Sequence, residues 1–63
     1  MAYFFVMGED IEGNYYEFES AGKTLIEVKR ECQELLETLD GGHFDIYENN
    51  DEGKDIFIDD VEW

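Results

Sequence analysis

The segment GKTLIEVKRECQELLETLDGG, residues 22–42, constrains the fold more than any other part of the chain. Thr24 and Glu27 have capping-box spacing, in which the hydroxyl accepts an early backbone N–H and the carboxylate reaches back to the cap. Leu25, Val28, Cys32, Leu35, Leu36 and Leu39 then recur at helical spacing and form one apolar stripe. Gly41 and Gly42 follow, where a helix must turn through a left-handed residue to stop. The spacing predicts a helix over about Leu25 to Leu39, with one face to bury.

The flanking blocks read as the sheet that buries it. In AYFFVMGEDIEGNYYEFES, Tyr3 to Met7 is an unbroken apolar run, and Tyr16 and Phe18 alternate with Tyr15, Glu17 and Glu19. Gly8 and Gly13 bracket an acidic connection suited to a hairpin. In HFDIYENNDEGKDIFIDDVEW, Phe44 and Ile46 alternate with Asp45 and Tyr47, NNDEGK supplies turn residues, and Ile56 and Ile58 alternate with Asp55, Phe57 and Asp59. The expected fold is α+β: a single domain over residues 1–63, in the order ββαββ, with a four-stranded, mostly antiparallel sheet and one helix on one face. Sixty-three residues is near the lower limit for a self-sufficient core. The lone Cys32 excludes an intramolecular disulfide, and no segment has the length of a membrane-spanning helix. The N-terminus lacks the basic-then-apolar layout of a signal peptide, so the expected location is a cytoplasm.

Charge narrows the function. Eighteen acids against four bases give a formal net charge of −14. Residues 21–39 are near neutral, with Glu27, Glu31, Glu34 and Glu37 against Lys23, Lys29 and Arg30. The excess lies on the hairpins, where residues 1–20 contain no base and residues 40–63 contain only Lys54. A helix over Tyr16, Phe18, Phe44, Ile46, Ile56 and Ile58 sends the alternate residues to the other side of the sheet. Like charges opposite one another across strands are destabilising, so carboxylates interleaved with rings are a cost the fold carries. Direct binding to nucleic acid or anionic lipid is excluded by repulsion, and a basic partner is favoured. The expected partner-binding residues are Glu17, Glu19, Asp45, Tyr47, Asp55, Phe57 and Asp59 on the sheet. Asp51 and Glu52 in the second turn come next, then Glu9, Asp10 and Glu12 in the first. Fourteen negative charges correspond to roughly 24 Å of duplex, and a domain of this length should be about 27 Å across.

In size, acidity and the face around NYYEFE and DIFIDD, the chain resembles the small acidic inhibitors of phages and mobile elements. These include anti-CRISPR and anti-restriction proteins that act as DNA mimics. The resemblance implies an inhibitor that occupies the groove of a CRISPR effector, a restriction enzyme or another DNA- or RNA-binding protein. DIEGNYYEFESAGKTLIEVKRECQELLETL also has the strand, turn, strand, helix rhythm of HicB-type antitoxin domains, without their proline-rich segment. That rhythm keeps a second class open: an interaction module that is not a mimic, or a homodimer burying the rings. Halophilic acidity is a third, but it would acidify the helix as well.

Catalysis and metal binding find little footing. Glu48, Asn50, Glu52, Gly53 and Asp59 have some of the spacing of a calcium loop, but the apolar residue after the glycine is missing and the flanks read as strands. An acidic hairpin turn is the expectation, with no metal and no cofactor. His43, the single histidine, is expected at the helix terminus. Cys32 lies on the apolar stripe as a small hydrophobe. Asp59 and Asp60 alternate across a strand and cannot both face one substrate. The expectation is a protein that is not an enzyme.

Overall fold

A computed structural model describes residues 3–50 and 52–63. Strand β1 (Tyr3–Asp10) and β2 (Tyr15–Glu19) form one hairpin, helix α1 (Leu25–Thr38) follows, and β3 (Gly42–Asn49) and β4 (Asp55–Glu62) form the second hairpin. The strands make a single sheet in the order β2-β1-β3-β4, antiparallel throughout. This is the α+β, ββαββ arrangement that the hydrophobic pattern predicts. Among the described residues no helix is long and apolar enough to cross a membrane.

The helix is set at both ends by its own sequence. Thr24 is the N-cap: its hydroxyl accepts from the Glu27 backbone N–H at 3.3 Å, and the Glu27 carboxylate accepts from the Lys23 and Thr24 N–H groups at 3.0 Å each. At the other end Leu39 caps the helix and Asp40 takes the left-handed conformation, φ 63°. The Asp40 N–H donates to the Glu37 carbonyl and the Gly41 N–H to the Leu36 carbonyl, the paired bonds of a Schellman stop. An aspartate therefore stands where glycine is usual, and Gly41 and Gly42 serve the exit that follows.

The core lies between α1 and one side of the sheet. Val28, Cys32 and Leu36 of the helix meet Phe4, Val6, Phe44, Ile46 and Val61 of the strands. Tyr16 and Phe18 close the β2 side, each edge-on to Phe44 with ring centroids 6.1 Å apart. A buried aliphatic or aromatic side chain contributes about 1.5–3 kcal/mol, so a core this small leaves little margin. Burial also pushes the Cys32 thiol up to about 11, which makes it a packing residue. Gly8 belongs to β1 and not to the turn: a Cβ there would run into the His43 carbonyl and the Phe44 backbone, so glycine lets β1 and β3 approach. The molecule is longer than the compact sphere its length implies, with extents of 35 × 19 × 15 Å and a radius of gyration of 11.3 Å.

One departure changes the functional face. The β3–β4 register shifts between Ile46 and Tyr47: Tyr47 lies opposite Phe57 and Ile46 opposite Asp59, which leaves Ile58 without a partner. A bulge of this kind reverses which residues face which side of the sheet. Val61 then enters the core in place of the expected Ile58, and Asp59 turns to the helix side while Asp60 and Glu62 turn away from it. Ile56 remains on the helix side but stays 50% exposed on its edge strand. The core also draws on Phe4 and Val6, whose alternation was hidden inside the continuous run of β1.

Candidate functional site

The candidate site is the side of the sheet that the helix leaves open. The strand registers arrange it in rows that run across the sheet. The first row is Tyr15, Glu9, His43 and Glu62; the second is Glu17, Met7, Asp45 and Asp60. The third is Glu19, Phe5, Tyr47 and Phe57; Tyr3, Asn49 and Asp55 form the last. Met7, Phe5, Tyr47 and Phe57 thus make an apolar middle, with Tyr47 and Phe57 packed edge-on at 5.8 Å. Around it stand seven carboxylates, Glu9, Glu17, Glu19, Asp45, Asp55, Asp60 and Glu62, and no lysine or arginine occupies any of these positions. Asp45 and Asp60 are directly opposed across β3 and β4. Side by side at strand spacing, two like charges repel.

His43 is the one base on this face, in β3 and not at the helix end where the sequence suggested it. Its Nε2 lies 3.1 Å from an Asp60 oxygen and 3.4 Å from an Asp45 oxygen. The hydrogen bond to Asp60, reinforced by the negative charges of Asp45 and Glu62, raises the imidazole above its ordinary value despite some desolvation. These three side chains present ligand atoms all within 4.8 Å of one another, a set that could touch a single cation. A protonated imidazole between the two carboxylates accounts for the same spacing. The remaining polar contacts are few: the Tyr15 hydroxyl donates to Glu17 at 3.0 Å, and Asn49 Nδ2 donates to Asp55 at 2.9 Å. The Glu17 bond holds the Tyr15 phenol above its usual range.

Of the residues expected to bind a partner, Glu17, Glu19, Asp45, Tyr47, Asp55 and Phe57 all lie on this face, and Glu9 joins them from β1. Two others are corrected. Asp59 points to the helix, where Lys29 Nζ donates to it at 3.0 Å and holds its carboxyl below the usual range. Asp10 is 8% exposed and works as the anchor of the first turn. Its Oδ1 accepts from the Glu12 and Asn14 N–H groups at 2.9 Å, and its Oδ2 accepts from Asn14 Nδ2 at 3.1 Å and the Tyr16 hydroxyl at 3.0 Å. The Asn14 side chain leads these in holding the Asp10 carboxyl low, against some desolvation. Glu12 and Glu52 are exposed in their turns, away from the rows, and Asp51 lies outside the described residues.

The second turn repeats the first. Asn50 Oδ1 accepts from the Glu52 and Lys54 N–H groups at 2.9 and 3.0 Å, as Asp10 Oδ1 does from Glu12 and Asn14. Gly53 takes φ 79° where Gly13 takes φ 87°. The local strings DIEGN and NDEGK carry this likeness, an Asx residue three positions before glycine, although the chain otherwise reads as free of repeats. The Asn50 side chain is thereby committed to the backbone of its own turn, and Asp59 to Lys29. Two of the positions with calcium-loop spacing, Asn50 and Asp59, thus have structural work of their own.

Sequence reasoning missed Asp60, Glu62, His43, Phe5 and Met7 as members of the face. A usable signal was present: the apolar positions Ile56 and Ile58 are even and Val61 is odd, so the strand must change phase between them. Compared with protein-family models, curated proteins and solved structures, the chain matches none.

Proposed function

We propose that this chain is an inhibitor that binds the basic nucleic-acid-binding surface of another protein as a DNA or RNA mimic, acting in the cytoplasm of a host cell. The observation that carries the reading is the open face: seven carboxylates surround an aromatic middle with no lysine or arginine among them, whereas Asp59 on the helix side is paired with Lys29. Arginines and lysines of a phosphate-binding groove would satisfy those carboxylates through charge-assisted bonds. Tyr47 and Phe57 would fill the desolvated centre, in the manner of an interface with an apolar core and a polar rim. The 35 Å long axis exceeds the roughly 24 Å of duplex whose charge the chain matches. Catalysis is not part of this reading, and no cofactor is required.

The test is competition. The purified chain should displace DNA or RNA from its captured target, and displacement should weaken roughly tenfold or more as salt rises from low to physiological strength. Reversal of Asp55 and Asp60 to lysine should abolish it. A captured target with no affinity for nucleic acid would remove the mimicry.

A second reading has its own observation. The edge strand β4 carries Ile56, Phe57 and Ile58, all at least 36% exposed, which is an unusually apolar edge. An interaction module or homodimer built on that edge would keep its partner after reversal of Asp55 and Asp60 and lose it on Phe57→Ala or Tyr47→Ala. Sedimentation of the Phe57→Ala variant separates the homodimer from the rest.

A further inference from the structure

One cluster on the open face has donor atoms that converge on a point. His43 and Asp45 are two apart on β3, and Asp60 lies opposite Asp45 on β4. The backbone ladder sets how close they come. Gly42 and Trp63 exchange both of their hydrogen bonds, at 3.0 and 3.3 Å, so by alternation the Asp45–Asp60 pair is a non-hydrogen-bonded one. Residues at such a pair stand only about 4.5 Å apart at Cα, with their side chains close together. His43 Nε2 and one oxygen of each aspartate all lie within 4.8 Å of one another. Nε2 itself is 3.1 Å from Asp60 and 3.4 Å from Asp45. The imidazole satisfies only one of the two acids: it shares a hydrogen bond with Asp60, whereas the Asp45 carboxylate has none among the described residues. No lysine or arginine of the described residues pairs with either aspartate.

We propose that His43, Asp45 and Asp60 bind a divalent transition-metal ion of the zinc type, through Nε2 and one oxygen of each aspartate, with water completing the shell. Zinc binds imidazole nitrogen at about 2.0–2.1 Å and carboxylate oxygen at about 2.0–2.2 Å, so neighbouring ligand atoms around a tetrahedral ion stand roughly 3.3 Å apart. The two separations from Nε2, 3.1 and 3.4 Å, bracket that distance. A proton on Nε2 bridges to a single carboxylate, whereas a dication bonds all three groups at once and removes the repulsion between the opposed aspartates. The imidazole sets the class of metal: magnesium and calcium prefer shells of oxygen, and zinc accepts nitrogen together with oxygen. All three side chains stand on paired strands, which hold a site more precisely than a loop does. Cys32, the thiol of the chain, is buried in the core on the helix side and takes no part. The site does not depend on the proposed partner.

The experiment titrates the intact, untagged chain with zinc chloride and with magnesium chloride at matched ionic strength. Calorimetry measures affinity, and proton NMR follows the ring of His43, the single histidine of the chain. One zinc ion should bind per chain, roughly tenfold or more tighter than magnesium, and the ring resonances should shift in step with it. H43Q should abolish the preference for zinc. D45N/D60N should weaken zinc binding by roughly tenfold or more. The control E12Q/E52Q removes the same charge from the turns and should weaken it by less than about twofold. Equal affinity for the two metals, or equal effects of the two double variants, would overturn the site. So would a preference for zinc that survives H43Q, or an absence of zinc binding. The ring shift is read on the parent chain and decides the matter even where a variant fails to fold: zinc binding that leaves the resonances unmoved would also overturn the site.

Discussion

The two sides of this sheet treat the same chemical group differently. On the helix side and in the turns, four carboxylates are structural: Asp59 accepts from Lys29, Asp10 accepts four hydrogen bonds, Glu27 closes the capping box and Glu31 accepts from Ser20 at 2.7 Å. On the open side, Asp45 and Asp60 oppose each other with only His43 between them, and Glu9 and Glu62 have no partner among the described residues. Acidity by itself therefore says little about function here. Glu17 and Asp55 of the open side accept single hydrogen bonds from Tyr15 and Asn49, but no lysine or arginine of the described residues pairs with any acid there.

The comparison can be broken most severely through the core that both sides share. Phe44 is fully buried and receives the edges of Tyr16 and Phe18, so Phe44→Ala should cost about 3–5 kcal/mol. In a domain this small that loss should leave much of the population unfolded, measured as a collapse of the urea midpoint. Next comes Asp10→Ala, which deprives the first turn of its acceptor and leaves Tyr16 without its bond. Its melting temperature should fall clearly, whereas Glu12→Gln in the same turn should leave the melting temperature unchanged.

The sharpest contrast is between neighbours. Asp59→Asn should lower stability by weakening the tie between α1 and β4 while leaving partner binding intact. Asp60→Asn should weaken partner binding, and its stability should stay within about 0.5 kcal/mol of the parent because it also relieves the repulsion with Asp45. A result in which the two variants exchange these phenotypes would mean that β4 has no bulge at Ile58.

The smallest effect is on pH. Facing His43 are Asp60 and Asp45 with Glu62 beside it on β4 and Glu9 across on β1. Its folded value is raised above 6.5, chiefly by the Asp60 hydrogen bond. The stabilisation is then fully present below the unfolded value and is lost as pH rises through the folded one. Urea midpoints should fall slightly from pH 6 toward pH 8, and the slope should flatten in Asp60→Asn. Asp10 acts in the opposite direction at the acid end: its folded value lies below 3.8, so its contribution persists above that and disappears as pH falls through the depressed value.

The helix, its N-cap and the ββαββ order are legible because each rests on local rules, capping chemistry and period, that neighbouring residues state repeatedly, whereas the left-handed stop falls on Asp40 and not on the glycines that follow it. Thr24 with Glu27 and the Val28, Cys32, Leu36 stripe leave no competing arrangement. The open face was legible in β2 and β3, where strict alternation assigns Glu17, Glu19, Asp45 and Tyr47 to one side. It was misread in β4 because a bulge is a non-local event: which residue is expelled depends on what the partner strand offers, and Ile58 resembles a core residue until Val61 competes for the place. In the sequence Asp10 reads as a surface acid because its donors, Asn14 and Tyr16, become neighbours only when the hairpin closes. His43 followed the helix stop in sequence, and only the β3 pairing reveals that it belongs to the sheet.

The central claim, a proposal, is that the carboxylates of the open face recognise a nucleic-acid-binding groove. The most direct measurement immobilises the parent chain and an open-face variant, Glu17→Gln with Asp45→Asn and Asp60→Asn, and identifies the protein retained by the first and released by the second. Displacement of labelled DNA or RNA from that protein is then titrated with each chain. The account predicts displacement by the parent, suppressed by salt and lost in the variant. Equal displacement by both, or a retained protein that binds no nucleic acid, would contradict it.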